Sequence, residues 1–303
     1  MKKNDIACLV NILPKELNPI SLAFADLQTA GNVSRFHSQL PKYTPTPLVN
    51  LFQLASHLKI KKLLVKDESQ RFDLNAFKVL GASYAIAKYL VKLLGLAESE
   101  LAFDKIMANK AKYQNVTFVT ATDGNHGRAV AWVTKLFGCK SVVYMPKGST
   151  KARLEAISHL GAHALITELN YDDTVIYAQQ QAADNGWVLL QDTSWKGYEE
   201  VPQHIMQGYF TLVTECLNQE KDMWPTHVFL QAGVGSFAAA IVAYMSNFTD
   251  RPTPQFIIVE PQGAPCLFES IKHNTGDPLR IEGDLPTIMA GLACGEPSQI
   301  GWN

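Results

Sequence analysis

The sequence lacks an excess of charge of either sign. Its 303 residues include 27 Lys and Arg against 28 Asp and Glu, so the formal net charge is -1. A nearly neutral chain offers no strongly positive surface of the kind that attracts nucleic acid or anionic lipid. We therefore expect neither nucleic acid nor a membrane surface among its partners.

Long apolar runs are missing as well. No stretch reaches the roughly 20 apolar residues that a membrane-spanning helix needs. The short apolar run at residues 6–13 is interrupted by Asn11, and Pro14 and Lys15 follow it instead of a small-residue cleavage site. The sequence therefore predicts neither a transmembrane helix nor a signal peptide.

Cysteine is scarce, and no CxxC pair occurs. The five cysteines are Cys8, Cys139, Cys216, Cys266 and Cys294. An odd number at wide spacing argues against a disulfide scaffold or a zinc cluster and is typical of a protein in a reducing cytoplasm. We expect most of these side chains to be small buried apolar groups, while a pairing of Cys266 with Cys294 stays open.

What the sequence does contain is an alternation of strand and helix patterns. Short apolar and β-branched runs predict strands at residues 63–65, 116–120, 141–145, 164–166, 187–190, 228–230 and 256–259. We expect the first of these, at residues 63–65, to be a short buried strand. Helical spacing predicts helices at residues 77–94, 126–137, 150–160, 172–184, 204–217 and 238–245. This order predicts an α/β fold of parallel sheets covered on both faces.

We expect two such doubly wound units, with the smaller one inserted in the larger. The larger unit would comprise residues 1–85 and 200–303, and the smaller unit residues 86–199.

The first candidate for chemistry is Lys78, which follows Asn75, Ala76 and Phe77 at the start of a predicted helix. A positive helix end and partial burial both favour the uncharged amine, which is the nucleophilic form. The alternative is an ordinary surface lysine on an amphipathic helix, and this segment alone does not decide between the two.

The second candidate is the strand-to-helix turn at residues 120–127. Glycines at 124 and 127 let the backbone approach a ligand closely, and Asn125 can donate a hydrogen bond to a phenolate-type oxygen. The alternative is a simple turn with an Asp or Asn helix cap. His126 fits a core or capping role as well as a binding role.

Two further loops follow predicted strands. Asp192 comes after one of them, either as a charge near a site or as a cap. The other loop is Gly233, Val234, Gly235 and Ser236, whose N–H groups, helix end and hydroxyl suit a phosphate. Ala238 replaces the third glycine of a dinucleotide fingerprint, so a dinucleotide site is disfavoured. Together the segments supply an amine, a ring-oxygen donor and a phosphate cradle, which are the groups that pyridoxal 5′-phosphate requires.

Longer segments carry a family resemblance. Over most of its length the chain resembles diaminopropionate ammonia-lyase, a fold-type II pyridoxal-phosphate enzyme, in the segments KDESQRFDLNAFKVLGASYA, FVTATDGNHGRAVAW, YMPKGSTKARLEAISHLGA, LLQDTSWKGYEEVPQHIMQGY and FLQAGVGSFAAA. Asp123 is a discriminating feature, because the related serine and threonine dehydratases usually carry serine at that position.

The resemblance implies conversion of D- or L-2,3-diaminopropionate to pyruvate and ammonia by a cytoplasmic homodimer. Lys78 would hold the cofactor as a Schiff base and remove the α-proton of the L-substrate, and Asp123 would serve the D-substrate. Asn125 would bind the cofactor ring oxygen, and Asp192 would lie near the substrate amine. Residues 233–236 would bind the phosphate.

One departure from the family concerns length. The sequence ends soon after residues 291–297, whereas family members continue substantially further. We expect the missing part to include the residue that faces the pyridine nitrogen and part of the larger unit. The alternatives to an active ammonia-lyase are therefore a serine or threonine dehydratase on the same cofactor, and a truncated relative without catalytic activity.

Overall fold

The computed structural model describes residues 6–10, 22–122, 124–273 and 276–302. Eight strands occur in the described chain: β1 Leu48–Asn50, β2 Leu64–Lys66, β3 Thr117–Ala121, β4 Lys140–Met145, β5 His163–Ile166, β6 Val188–Leu189, β7 His227–Gln231 and β8 Gln255–Val259. The α-helices are α1 Leu27–His37, α2 Phe52–His57, α3 Lys78–Leu93, α4 Phe103–Met107, α5 Lys110–Tyr113, α6 Asn125–Phe137, α7 Lys151–His159, α8 Tyr171–Asn185, α9 Glu200–Gly208, α10 Phe210–Gln219, α11 Ser236–Ser246, α12 Cys266–His273 and α13 Gln299–Trp302.

A four-stranded parallel sheet in the order β5-β4-β3-β6 forms the middle of the chain. Its central strand β3 is covered on both faces, because Phe118 packs in the cluster that contains α6, whereas Val119 and Ala121 pack against α8. Burial on both faces explains why β3 reads as a continuous apolar and β-branched run rather than an alternating one. The predicted α/β fold with parallel sheets is confirmed.

A second parallel pair, β7-β8, lies later in the chain, and α11 connects its two strands. The strand predicted at residues 63–65 exists as β2, but it pairs antiparallel with β1. The prediction that this strand is buried was wrong, since Val65 is 43% exposed.

Helices α3, α6 and α9 join the two parts of the fold. Helix α3 packs against both α6 and α9, and the predicted boundary at residue 85 falls inside α3. One large apolar cluster includes Phe36 of α1, Phe118 of β3 and Phe210 of α10. The division into units 1–85 with 200–303 and 86–199 stays a prediction.

The single helix predicted at residues 204–217 is two helices, α9 and α10, which meet at Tyr209. At this point Gly208 lies directly on the backbone of α3, where a Cβ would stand 2.6 Å from the Gly81 Cα. The Tyr209 N–H bonds the carbonyl three residues earlier instead of four, which marks a tightened turn. In the described residues, helices fall short of the length and apolar character that crossing a membrane demands.

Candidate active site

Lys78 is the first residue of α3, and an unusual backbone segment leads to it. Phe72, Asp73 and Asn75 have φ values of 50°, 61° and 57°, in the left-handed region that non-glycine residues rarely adopt. Each such residue costs about 1–3 kcal/mol unless the surroundings hold it in place. The segment is therefore held in a conformation that local sequence preference would not select.

Arg71 provides much of that support. Its side chain is 1% exposed, and its guanidinium donates to Glu68 Oε1 at 2.7 Å and to both carboxylate oxygens of Glu215 at 2.8 Å. Glu215 lies on α10, so the pair fixes the Lys78 segment to a helix more than 130 residues away in sequence. Nothing in the local sequence around Arg71 indicated this role, because its partner is distant in the chain.

The Lys78 amine contacts Asp192. The Nζ atom lies 2.6 Å from Asp192 Oδ2, and the two side chains are 24% and 9% exposed. Burial opposes ionisation of the Asp192 carboxyl, but the positive charges of Lys78 and His126 prevail and lower its pKa to about 2. The sequence predicted that the helix end would favour the free amine, whereas a carboxylate at this distance favours the ammonium form.

His126 approaches the same carboxylate from α6. Its Nδ1 lies 3.9 Å from Asp192 Oδ2, and its Nε2 lies 2.8 Å from the Leu190 carbonyl oxygen. A carbonyl accepts only, so Nε2 carries the hydrogen. Both contacts anchor the start of α6, with Asn125 at its first position, to the loop that follows β6.

The glycine loop meets Asp192 from the other side. Ser236 begins α11, and its hydroxyl donates to the Asp192 carbonyl oxygen at 2.9 Å. Asp192, which the sequence left open as a charge near a site or a cap, is therefore the residue where the Lys78 helix, the α6 start and the glycine loop converge.

The glycine loop fits the phosphate of a cofactor. The N–H groups of Ser236, Phe237 and Ala238 lie in the first turn of α11, where no carbonyl within the helix can accept them. A Cβ at Gly233 would stand 3.0 Å from Cys294 Sγ, so this position has little room for a side chain, and Gly235 has a φ of 94°, which favours glycine. Because the Ser236 hydroxyl proton is directed to Asp192, the N–H groups are the donors that this loop offers to an anion.

A final segment, residues 298–302, ties these loops together. Ser298 is fully buried, its N–H donates to the Val234 carbonyl at 2.7 Å, and its hydroxyl lies 2.8 Å from the Ser194 hydroxyl. It thereby joins the Asp192 loop to the glycine loop. Sequence reasoning missed Ser298, since a serine after a proline carries no distinguishing local pattern.

Asp123 lies outside the described residues. Asn125 is exposed and lines a cavity of about 250 Å³ together with Gly124, Arg128, Ala152, Arg153, Ala156 and Gly291.

Cys266 and Cys294, whose pairing the sequence left open, are both free thiols, and the Cys266 thiol donates to the Gly233 carbonyl.

Comparison with known proteins identifies the family and the relatives that this chain resembles. A family profile described as "Pyridoxal-phosphate dependent enzyme" matches residues 40–303. The diaminopropionate ammonia-lyase of Salmonella typhimurium is 50% identical over 281 residues, which cover 90% of this chain and 70% of that protein. The crystal structure of the Escherichia coli diaminopropionate ammonia-lyase in complex with D-serine superposes with a TM-score of 0.85 at 45% identity, covering 95% of this chain and 70% of that one.

A dehydratase is less similar. The biosynthetic L-threonine dehydratase of Salmonella typhimurium is 28% identical over 243 residues, which cover 80% of this chain and 40% of that protein. The comparisons therefore favour the ammonia-lyase over the dehydratase.

Proposed function

The chain belongs to the diaminopropionate ammonia-lyases, which are pyridoxal-phosphate-dependent enzymes, and on that premise we propose that its site converts 2,3-diaminopropionate to pyruvate and ammonia. The observation that carries this proposal is the convergence on Asp192. The Lys78 amine, the start of α6 and the glycine loop all contact this one residue.

Each group has a distinct task. Lys78 holds the cofactor and accepts the α-proton of the L-substrate, and Asp123 accepts that of the D-substrate. Asn125 donates to the ring oxygen of the cofactor, while the N–H groups of residues 233–236 hold its phosphate. When bound, pyridoxal phosphate withdraws electrons from the α-carbon, so that the β-amine can leave as ammonia.

Asp192 controls the charge and position of the lysine. As a carboxylate at 2.6 Å it keeps the Lys78 side chain directed to one place and can stabilise a proton on it. Asp192 is also placed to accept a hydrogen bond from an amine of the substrate. Its own position is secured by Ser236 through the backbone carbonyl, so the carboxylate stays available for this task.

We propose in addition that the protein acts in the cytoplasm as a homodimer. All five cysteines are free thiols, the state that a reducing compartment maintains. Self-association is supported by large apolar side chains that are exposed on the segment around α2. They are Val49, Phe52, Leu54, Leu58, Ile60 and Val65. Sedimentation of the purified chain measures the assembly state directly.

The test of the activity is pyruvate release from D- and L-2,3-diaminopropionate with added pyridoxal phosphate. We expect release by the unaltered chain and by Lys92→Ala, a control on the exposed side of the same helix, but not by Lys78→Ala. L-Serine and L-threonine serve as competing substrates. Faster turnover of either would indicate a dehydratase, and a folded chain inactive on all four would be a non-catalytic relative.

A further inference from the structure

The start of helix α12 lies against the glycine loop. The Cys266 thiol donates to the Gly233 carbonyl oxygen at 3.4 Å, and both methyl carbons of Leu267 would stand 3.4 Å from a Cβ at Gly235. Cys266 is fully buried, so this contact is shielded from water. The first two residues of α12 therefore touch both glycines of the loop that is proposed to hold the cofactor phosphate.

The residue before α12 cannot cap this helix. Helices usually begin after Ser, Thr, Asp or Asn, whose side chains accept hydrogen bonds from the first free N–H groups. Here the preceding residue is Pro265, and its side chain contains no acceptor. The N–H groups of Leu267 and Phe268 therefore need an acceptor from another part of the chain.

Glu260 supplies that acceptor from the end of strand β8. Its Oε1 accepts from the Leu267 N–H and its Oε2 from the Phe268 N–H, both at 2.8 Å. Burial raises the pKa of the Glu260 carboxyl, although its bonds to the two N–H groups favour the charged form. That charge also complements the positive end of the helix dipole. One carboxylate thus joins strand β8 to the start of α12.

This cap also determines which helix start receives an anion. Two helices, α11 and α12, begin at or beside the glycine loop. At α12 the N–H groups of Leu267 and Phe268 are already bonded to Glu260. An anion at the loop is therefore directed to the start of α11, where Ser236 is the first residue.

We propose that Glu260 is a positioning residue for the cofactor phosphate. By capping α12 it holds Cys266 and Leu267 against the glycine loop, and it thereby keeps the N–H groups of that loop in the arrangement that receives the phosphate. This inference rests on the function proposed above. It assigns a role to a residue that acts through α12 rather than by contact with the cofactor.

The experiment compares the binding of pyridoxal 5′-phosphate with that of pyridoxal, which lacks the phosphate, in the cofactor-free chain and in Glu260→Gln. Glutamine has the same size but only one acceptor oxygen, so one N–H group of α12 loses its partner. We expect the affinity for pyridoxal phosphate to fall about tenfold, while the affinity for pyridoxal stays unchanged. Titration followed by the absorbance of the bound compound measures both dissociation constants.

Two further variants accompany this measurement. Glu269→Gln is the matched control, because it makes the same change on the same helix at a carboxylate that contacts Lys272, and both affinities should equal those of the unaltered chain. Glu260→Asp keeps the charge but is shorter by one methylene. It should recover part of the preference for pyridoxal phosphate, since a charged acceptor remains.

A similar loss of affinity for both compounds in Glu260→Gln would show that Glu260 supports the fold in general, and would overturn the proposal. Unchanged affinities in that variant would overturn it too. Each comparison is a ratio within one variant, so a smaller folded fraction does not alter it.

Equal binding of the two compounds by the unaltered chain would remove the phosphate role of the glycine loop and this inference with it. The ratio is measured without turnover. A chain that prefers pyridoxal phosphate but releases no pyruvate would therefore contradict the proposed reaction alone, and the Glu260→Gln ratio would still decide the role of Glu260.

Discussion

Asp192 joins the parts of the site because its side chain and its backbone face different partners. The carboxylate contacts the Lys78 amine and faces His126, whereas the carbonyl oxygen accepts from Ser236. A carboxylate in so buried a position needs opposite charge around it, and here the Lys78 amine and the His126 ring face it. The residue thus links the charge of the site to its geometry.

The lowered pKa of Asp192 predicts a specific pH dependence of stability. Its folded value of about 2 lies below the ordinary 3.8, so the ionised group stabilises the fold above about pH 4, and this contribution is lost as the pH falls toward 2. In the cofactor-free protein, we expect the unaltered chain to have a larger free energy of unfolding than Asp192→Asn above about pH 4. This margin should narrow by about 2 kcal/mol as the pH falls toward 2.

Urea denaturation at about pH 6, 4 and 2 measures this margin. Asp184→Asn, at an exposed position, serves as the control for general acid effects. A margin that does not depend on pH would mean that Lys78 and His126 do not hold the Asp192 carboxyl in its charged form.

At the scale of elements, the crossing of α3 and α9 determines where the reactive lysine sits. Gly81 and Gly208 let the two helix backbones touch, and a Cβ at Gly81 would stand 2.9 Å from the Ile205 carbonyl oxygen. Since these atoms belong to backbone, a side chain at either glycine cannot be accommodated by a rotamer change. The close crossing fixes α3 and, with it, Lys78 at its first position.

Alanine at Gly208 should therefore destabilise the protein. We expect a loss of about 1–3 kcal/mol in the free energy of unfolding, from the overpacked crossing, and a weaker affinity for pyridoxal phosphate. The matched control is Gly31→Ala in α1, where a Cβ would meet no atom within 4 Å. This change should increase the free energy of unfolding by at most about 1 kcal/mol, because alanine has a higher helix propensity than glycine. Equal effects of the two changes on urea unfolding would contradict the proposed role of the crossing.

At the scale of the whole molecule, the site is built from parts that are far apart in sequence. The loops after β3 and β6 belong to the predicted unit 86–199, whereas the glycine loop and residues 298–302 belong to the other. A ligand that contacts all of them stabilises both units together. The same parts are already connected without a ligand through α3, which packs on both α6 and α9.

Cofactor binding should accordingly raise the stability of the entire chain. At about 100 times its dissociation constant, pyridoxal phosphate should add about 2.7 kcal/mol to the free energy of unfolding, through a single shifted transition. Differential scanning calorimetry measures the shift, with pyridoxal lacking the phosphate as the control. Two transitions, of which only one moves, would show that the predicted units unfold independently and that the site belongs to one of them.

The parts of the fold that depend on local pattern were predictable. The parallel sheet strands β3 to β5 and helices α3, α6 and α8 appear within a few residues of their predicted positions, because apolar spacing reflects which faces become buried. Helices α6 and α11 likewise begin at Asn125 and Ser236, one and two residues before their predicted starts. Strand β2 was predicted as buried and is not, since a run of three residues does not reveal how many of its faces are covered.

The sequence by itself determined the types of group that the site contains: an amine at Lys78, a phosphate loop at residues 233–236 and a turn at Asn125. Only the tertiary structure decided that Asp192 unites them and that Arg71 and Ser298 support them from a distance. The physical reason is the distance along the sequence over which each kind of interaction acts. Turn chemistry and helix starts depend on neighbouring residues, whereas the contacts of a buried charge depend on which distant segments the fold brings against it.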